Sequence, residues 1–349
     1  MDNRKGVIAL HRWYLYKMIP ESEVRIDWDF AVYHKIDMLY CYYCIQNNIP
    51  LNITMEKKME AIQQQNNMYN RIAATITKKF NENDIPHVFL KGISLINSLY
   101  AVPWLRYFND IDLLVPESSL SQVVSILTRC GYVFGSFNNG ILDYASRSQI
   151  LFQRLYTHEI FNMVRKESDN SASNIDINFR FSWNGISLKK PKRQFEEFSH
   201  YIIIDNGLPC FKRLMNLIHL CCHLYNEAIY FALDKDFTGG DPKEIRLDRV
   251  FDIAFLVESF SDSEVESLEN IATQYNCCRE ILYALNIVDH VFQLNYRDSL
   301  TNISDDSIDI DAYYSNDKKV KKWPISLDER IFNLDLKKTI AKELFYTSC

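Results

Sequence analysis

A short stretch in the first half of the chain, Asp110-Ile111-Asp112-Leu113-Leu114-Val115, alternates between acidic and aliphatic side chains. A period of two is typical of a β-strand with one buried face, so Asp110 and Asp112 should share one side while Ile111, Leu113 and Val115 enter a core. The two carboxylates are then separated by about 6.6 Å along the strand. Both could hold divalent cations at that spacing. Taken alone, the pair favours a solvent-exposed strand face without function, so a metal-binding role depends on the neighbouring segments.

The segments on either side of this stretch predict an α/β core. Residues 87–92 (His-Val-Phe-Leu-Lys-Gly) form a short predicted strand that ends in glycine, and Ile93 to Tyr100 form a short predicted helix. After the acidic strand, a serine N-cap near Ser118 begins another helix, which stops near Gly131. Residues 87–131 are therefore predicted to form a strand, a helix, a second strand and a second helix.

A third carboxylate lies on a predicted hairpin. Residues 159–164 and 174–181 both alternate, and the link between them is polar. In the second of these strands Asp176 shares a face with Asn174 and Asn178. We therefore expect Asp176 on a polar strand face, as we do for the first two acids.

Helical patterns flank this core. Apolar residues recur at helical spacing before residue 81 and again after about residue 208. The predicted organisation is a helical N-terminal region (1–80), an α/β core (81–205, with 132–205 mainly strands and turns) and a helical C-terminal region (206–349). The predicted fold class is α+β, with a small mixed β-sheet between helical regions.

The Asp-x-Asp pattern recurs at Asp27-Trp28-Asp29 and Asp309-Ile310-Asp311. The first pair has no strand context. The second falls in a segment, Ser304 to Lys322, that is acidic, then basic, and is predicted to be a solvated loop. Neither pair follows a glycine-ended strand, so we interpret both as incidental.

Composition narrows the class of protein. The 349 residues carry a net charge of −6, so there is no general basic footprint for nucleic acid. No apolar run is long enough for a transmembrane helix, and the first residues lack a signal-peptide core. The nine cysteines show no disulfide-framework spacing, so reduced thiols in the cytoplasm are the expectation.

The glycine-ended strand, the acidic strand and the later strand with Asp176 together have the features that phosphoryl-transfer chemistry requires. A glycine such as Gly92 lets the backbone approach a phosphate, and the start of a helix favours negative charge. Carboxylates hold Mg²⁺, and two such ions can clamp an in-line displacement. Arg106 lies four residues before the first acid and would balance phosphate charge. Lys91 would either neutralise phosphate or be solvated.

Residues 85–115, with Leu-Lys-Gly, Tyr100, Arg106 and Asp-Ile-Asp in order, resemble the nucleotidyltransferase superfamily that includes DNA polymerase β. They are more similar still to its bacterial branch of largely uncharacterised members. That branch has a histidine-containing strand and a hydrophobic-Asp-hydrophobic-His strand downstream, similar to His158 and to Ile175-Asp176-Ile177-Asn178 here. The resemblance covers roughly residues 65–260.

The resemblance implies roles for individual residues. Asp110, Asp112 and Asp176 would be the catalytic metal ligands for one or two Mg²⁺ ions. Gly92 and Ser94 would stand at the superfamily's phosphate loop and, with Lys91 and Arg106, bind the nucleotide. The chain departs from the pattern at Ile93, where serine is usual, and at Asn178, where the branch has histidine.

Other candidate residues are better explained by structure. His219 and His223 are spaced for one helix face, but that face is otherwise apolar, so packing is expected. Cys41-x-x-Cys44 has no second Cys/His pair, which argues against a zinc or redox site.

Three functions remain open from the sequence. The first is a Mg²⁺-dependent enzyme that moves a nucleotidyl group from an NTP such as ATP to a hydroxyl of a small-molecule, peptide or protein acceptor. The second is a nucleotide-binding regulator of the antitoxin type that docks through its helical C-terminal region. The third is a peptide-tailoring factor whose helical regions recognise a peptide. The three intact carboxylates favour the enzyme.

Overall fold

The computed structural model describes ten segments of the chain: residues 2–20, 24–96, 98–138, 140–167, 171–181, 194–230, 245–258, 260–304, 308–314 and 319–346. The helices are α1 Asn3–Tyr16, α2 Trp28–Tyr33, α3 Asp37–Gln46, α4 Ile53–Asn81, α5 Lys91–Leu95, α6 Leu120–Arg129, α7 Arg147–Tyr156, α8 Phe195–Phe198, α9 Arg213–Ile229, α10 Leu247–Val257, α11 Asp262–Gln274, α12 Cys278–Phe292, α13 Leu327–Phe332 and α14 Leu334–Tyr346. Short 3₁₀ turns cover Pro103–Leu105, Glu117–Ser119, Ser199–Tyr201 and Arg297–Ser299.

The strands are β1 Val88–Leu90, β2 Ile111–Leu114, β3 Val133–Asn138, β4 Ile141–Tyr144, β5 Met163–Lys166, β6 Ala172–Asn178, β7 Ile202–Asp205, β8 Leu208–Phe211, β9 Ala312–Tyr314 and β10 Val320–Lys322. The first eight form one sheet in the order β4-β3-β5-β6-β2-β1-β8-β7. The β2–β6 and β1–β8 pairs are parallel and the other neighbours are antiparallel. The predicted mixed sheet with flanking helices is thus confirmed.

Helices α4 and α6 cover one face of this sheet. The spacing of Tyr69, Ile72 and Ile76 turns one stripe of α4 towards the strands, and all three are buried. They share a core with aliphatic residues of β2 and β6, including Ile111 and Ile175, which are fully buried. The opposite face of β2 and β6 therefore carries the polar side chains.

The chain divides into two compact units, residues 53–216 and residues 1–52 with 217–349. The first contains the eight-stranded sheet together with α4. The second is mainly helical, with α10 buried along its whole length and the small β9–β10 hairpin. The three regions predicted from the sequence (1–80, 81–205 and 206–349) are a different division and stay a proposal.

Several local predictions needed correction. The helix expected over Ile93–Tyr100 begins at Lys91 and ends at Leu95. Helix α7 lies in a region where strands and turns were expected, although its capping box, Ser146 with Gln149, is a helix-start signal. The predicted loop Ser304–Lys322 contains β9 and β10. The predicted hairpin exists, with its paired strands at β5 and β6.

The two incidental Asp-x-Asp pairs have structural roles. Asp27 caps α2 by accepting a hydrogen bond from the Phe30 N–H at 2.9 Å. Asp309 pairs with Lys322 at 2.6 Å, and Asp311 pairs with Arg330 at 2.7 Å. Among the described residues, no helix has both the length and the apolar character to cross a membrane.

Candidate active site

The parallel pairing of β2 with β6 brings two of the three predicted acids, Asp112 and Asp176, to one face of the sheet. Its register sets Asp112 directly opposite Asp176. Asp110 lies just before β2, two residues from Asp112, and is half-buried like Asp176. Asp112 itself is only 6% exposed, while its neighbours Ile111 and Leu113 are fully buried on the opposite face. The alternation read from the sequence is therefore present in the fold.

Helix α4 holds the segment that leads into this acidic strand. The Gln65 side-chain amide donates to the Phe108 carbonyl at 2.6 Å, and Asn66 donates to the Arg106 carbonyl at 3.2 Å. The Tyr69 hydroxyl donates to the Asn109 carbonyl. These bonds fix the backbone immediately before Asp110. They join residues about 40 positions apart, so no local sequence pattern could have revealed them.

Lys91 is the cation of the site. Its Nζ lies 2.8 Å from Asp112 Oδ1, because the antiparallel β1–β2 register sets Leu90 opposite Asp112. Burial lowers the pKa of Lys91, but the carboxylate of Asp112, with smaller contributions from Asp110 and Asp176, outweighs burial and raises the net pKa. Lys91 also has a left-handed backbone, with a φ of 48°, which costs a side-chain-bearing residue about 1–2 kcal/mol.

The other predicted nucleotide-binding residues have local contacts. Gly92 and Ser94 are buried in α5, and the Ser94 hydroxyl donates to the Lys91 carbonyl at 2.8 Å. Arg106 is buried, and its guanidinium donates to the Tyr107 carbonyl at 2.6 Å. Lys91, Gly92 and Ser94 thus lie in one short segment, of which Lys91 contacts Asp112. The nucleotide-binding role of these residues stays a prediction.

A fourth carboxylate, Glu159, joins the site and was missed in the sequence. Glu159 forms an isolated antiparallel bridge with Asn178, which puts its side chain on the same face as Asp176. Gln153 of α7 donates to Glu159 Oε1 at 2.8 Å. The sequence predicts a strand over residues 159–164, but nothing in that pattern marks Glu159 as a site residue. Its side chain is directed into the site by the bridge to Asn178, which a local sequence pattern does not reveal.

Negative charge in the site exceeds positive charge. Burial raises the pKa of Asp176 well above its usual value, and the charges of Asp110, Glu159 and Asp112 raise it further. Burial, with the charges of Asp112 and Asp110, also raises the pKa of Glu159 to about 7, although Lys91 and the Gln153 hydrogen bond oppose that shift. Crowded carboxylates of this kind are stabilised by a bound cation.

The donor set suits Mg²⁺, because carboxylate oxygens are its preferred protein ligands. Within the part of the chain that the structure describes, no three His, Cys, Asp or Glu side chains gather closely enough to enclose a metal ion. Instead, Asp112 is held by the Lys91 ammonium.

The remaining histidine and cysteine candidates lie in packed surroundings. Burial, together with the nearby charges of Lys91 and Arg180, lowers the pKa of His158 to about 3, so its imidazole is neutral. In the other compact unit, the rings of His219 and His223 are stacked, with centroids 6.4 Å apart. Both cysteines of the Cys41-x-x-Cys44 pair are buried thiols.

Comparison with known proteins identifies the family. A family model described as "Uncharacterised nucleotidyltransferase" matches residues 28–293, which extends beyond the stretch that carries the sequence resemblance on both sides. The chain belongs to this family. It is therefore an enzyme of the nucleotidyltransferase class, with an acceptor that the family description leaves open.

Solved structures of low similarity accompany this nucleotidyltransferase match. The antibiotic-resistance factor ANT(2'')-Ia is 13% identical with a TM-score of 0.33, and the match covers 61% of this chain and 94% of that one. JHP933 from Helicobacter pylori is 13% identical with a TM-score of 0.30, covering 81% and 93%. An antigenic nucleotidyltransferase-like protein from Paracoccidioides brasiliensis is 10% identical with a TM-score of 0.25, covering 64% and 96%. No curated protein matches the chain.

Proposed function

We propose that this nucleotidyltransferase moves a nucleotidyl group from an NTP to an acceptor hydroxyl in a Mg²⁺-dependent reaction. The observation that carries the proposal is the parallel β2–β6 register, which sets Asp112 opposite Asp176 with Asp110 two residues away. Oxygen ligands on one strand face, beside a lysine at a strand-to-helix junction, supply what transfer at the α-phosphorus needs: charge neutralisation and a fixed geometry.

Each residue has a role in this proposal. Asp110, Asp112 and Asp176 would hold Mg²⁺, which when bound supplies positive charge to the phosphates. Lys91 contacts Asp112, and its ammonium would turn to the triphosphate once Mg²⁺ is held by that carboxylate. The N–H groups at the start of α5, near Gly92 and Ser94, would bind phosphate oxygens, with Arg106 bracing the segment before the acids.

Glu159 would accept the proton of the acceptor hydroxyl. Burial is the largest cause that raises the pKa of Glu159 above its usual value, and a general base works best when its pKa lies near the operating pH. The hydrogen bond from Gln153 holds its carboxylate in place. Since Asp110, Asp112 and Asp176 would be engaged with the metal, Glu159 is the acid that remains among the described residues of the site.

We expect Glu159→Gln to lower kcat by about 10²–10⁴-fold while NTP affinity stays the same, because the amide keeps the side-chain shape but cannot accept a proton. Steady-state kinetics and nucleotide titration measure the two effects separately. Glu82→Gln, at an exposed residue of the turn after α4, is the matched control. A wild-type kcat in Glu159→Gln would exclude the base role, and a loss confined to NTP binding would assign Glu159 to the nucleotide.

The reaction itself is tested by incubating the protein with each labelled NTP and Mg²⁺, alone and with candidate acceptors, and following the products by mass spectrometry. We expect release of pyrophosphate and a nucleotidyl mass increase on the acceptor. EDTA should stop the reaction and Mg²⁺ should restore it. If the wild type consumes no NTP, or if Asp110→Asn with Asp112→Asn consumes it equally well, the proposal fails.

A further inference from the structure

Exposed apolar side chains are concentrated in the segment that runs from β4 through α7. Among the described residues, fourteen large apolar side chains are exposed, and six of these lie between residues 141 and 156. The six, each 53–69% exposed, are Ile141, Tyr144, Leu151, Phe152, Leu155 and Tyr156. Single exposed apolar residues are ordinary on a protein surface, but a cluster of this size marks an interaction site.

Helix α7 leaves its apolar face uncovered. Four of its side chains have the spacing i, i+1, i+4 and i+5, which places them on one helix face. Together they form the α7 stripe, which consists of Leu151, Phe152, Leu155 and Tyr156. The rings of Phe152 and Tyr156 lie with their centroids 4.8 Å apart, so the stripe is continuous along the helix. None of the ten residues of α7, all of which the structure describes, is buried.

A helix of this length needs packing to be stable. An isolated helix of ten residues is marginal in water, and most helical stability in proteins comes from burial of an apolar face. The capping box of Ser146 and Gln149 stabilises only the first turn of α7. Gln153, which lies outside the stripe, donates to Glu159 at 2.8 Å. A surface that covers the stripe would therefore also fix the hydrogen bond to Glu159.

The α7 stripe is complementary to a second copy of itself. Its four positions are symmetric about the midpoint between residues 153 and 154. When two α7 helices pack antiparallel about a two-fold axis at that midpoint, Leu151 meets the partner's Tyr156 and Phe152 meets the partner's Leu155. Each contact then joins an aliphatic side chain to an aromatic ring. A two-fold interface requires this self-complementarity, because the same surface is used on both copies.

The uncovered area is that of a dimer interface. A large aromatic side chain presents about 150–250 Å² when fully exposed, so the α7 stripe leaves on the order of 500 Å² uncovered. Ile141 and Tyr144 of β4, which ends two residues before the Ser146 cap, raise this area to about 700 Å². A standard interface buries about 800 Å² per partner, whereas the largest apolar patch of a typical monomer is about 300–600 Å².

The charges of the segment disfavour a membrane as the occupant. Residues 141–156 carry one acidic side chain, Asp143, and two basic ones, Arg147 and Arg154. A helix that lies on a bilayer has a polar face rich in lysine and arginine, which anionic lipids attract. Two arginines in a chain whose net charge is −6 do not supply that attraction. A protein surface that is apolar and uncharged at its centre matches the α7 stripe better.

We propose that the α7 stripe is a homodimer interface, in which α7 of one copy packs antiparallel on α7 of a second copy about a two-fold axis. The interface itself does not depend on the function proposed above. Its consequence for catalysis does rest on that function: the partner copy covers α7, and α7 then holds Gln153 against Glu159. The dimer is therefore the form in which the base of the proposed reaction is fixed.

Association is tested without any nucleotide by sedimentation equilibrium of the full chain. We expect the wild type to sediment with twice the mass of one chain. Phe152→Asp should raise the dissociation constant at least about 100-fold, because the charge enters the centre of the interface once from each copy. Ile204→Asp is the matched control, since Ile204 is 70% exposed on β7, at the opposite edge of the sheet from β4. A monomeric wild type, or equal dissociation constants for the two variants, would overturn the proposal.

A pair of cysteine variants tests the antiparallel arrangement of the two helices. Leu151→Cys and Tyr156→Cys proteins are mixed, and their thiols are oxidised to a disulfide with copper phenanthroline. Because Leu151 meets the partner's Tyr156, we expect a disulfide-linked dimer in the mixture, well above the amount formed by either variant alone or by the wild type. The cross-linked peptides are identified by mass spectrometry. A mixture that forms no more dimer than the single variants do would exclude the antiparallel α7 contact.

The outcomes separate the dimer from the proposed reaction. A dimer that consumes no NTP under any condition would confirm the interface while the proposed function fails. If monomeric Phe152→Asp consumes NTP at the wild-type rate, the interface does not act through Gln153 and Glu159. A wild type that stays monomeric and binds vesicles of phosphatidylcholine and phosphatidylglycerol would overturn the proposal and assign the α7 stripe to a membrane.

Discussion

Asp112→Asn should reduce nucleotidyl transfer by about 10³-fold or more, the largest effect expected for one substitution in this protein. A carboxylate that holds a metal contributes several kcal/mol of charge stabilisation, and each 1.36 kcal/mol corresponds to a factor of ten in rate. The neutral amide keeps the shape of the side chain but binds Mg²⁺ weakly. Initial rates with a labelled NTP, measured over a range of Mg²⁺ concentrations, would give the effect on kcat and on metal dependence together.

The control for this substitution comes from an Asp-x-Asp pair outside the site. Asp29 is exposed in the first turn of α2, next to an aspartate that caps the helix. Asp29→Asn should leave the transfer rate unchanged. A wild-type rate in Asp112→Asn, or an equal loss in both variants, would contradict the assignment of Asp112 to the metal.

Gly92→Ala should lower the free energy of unfolding by about 2–3 kcal/mol, because the added methyl group has no room. A Cβ at Gly92 would lie 2.6 Å from Cγ and 2.7 Å from Cβ of Phe108. Phe108 is 4% exposed in the core, so it cannot move aside cheaply. Since Phe108 stands two residues before Asp110, its displacement should also reduce transfer.

Gly207→Ala is the control that distinguishes a steric clash of the added methyl group from backbone strain. Gly207 has a φ of +81°, but nothing lies within 4 Å of an added Cβ. Its replacement should cost about 1 kcal/mol through strain alone. Urea unfolding of both variants, compared at equal m-value, measures the difference. A cost for Gly92→Ala no greater than that for Gly207→Ala would show that Phe108 adapts and that the glycine is needed for another reason.

Features with a local cause were predictable from the sequence. The period of two in residues 110–115 predicts a strand with one buried face. In the structure, Asp112 lies on the polar face and Ile111 and Leu113 lie in the core. The stripe of α4 that includes Tyr69 follows in the same way from a period of 3.6. A helix whose apolar residues remain exposed was missed. Leu151, Phe152 and Leu155 of α7 are each more than half exposed, so that helix shows no buried stripe.

The sequence by itself determined that Asp112 and Asp176 lie on polar strand faces, since alternation along a strand is a local property of the chain. Only the tertiary structure decided which strands are neighbours. The parallel β2–β6 register sets Asp112 opposite Asp176. The bridge to Asn178 places Glu159 at the site, and the β1–β2 register places Lys91 there. These pairings join residues 19 to 64 positions apart. Which strands pair, and in which register, depends on how the whole sheet buries its apolar face. A short stretch of sequence does not contain that information.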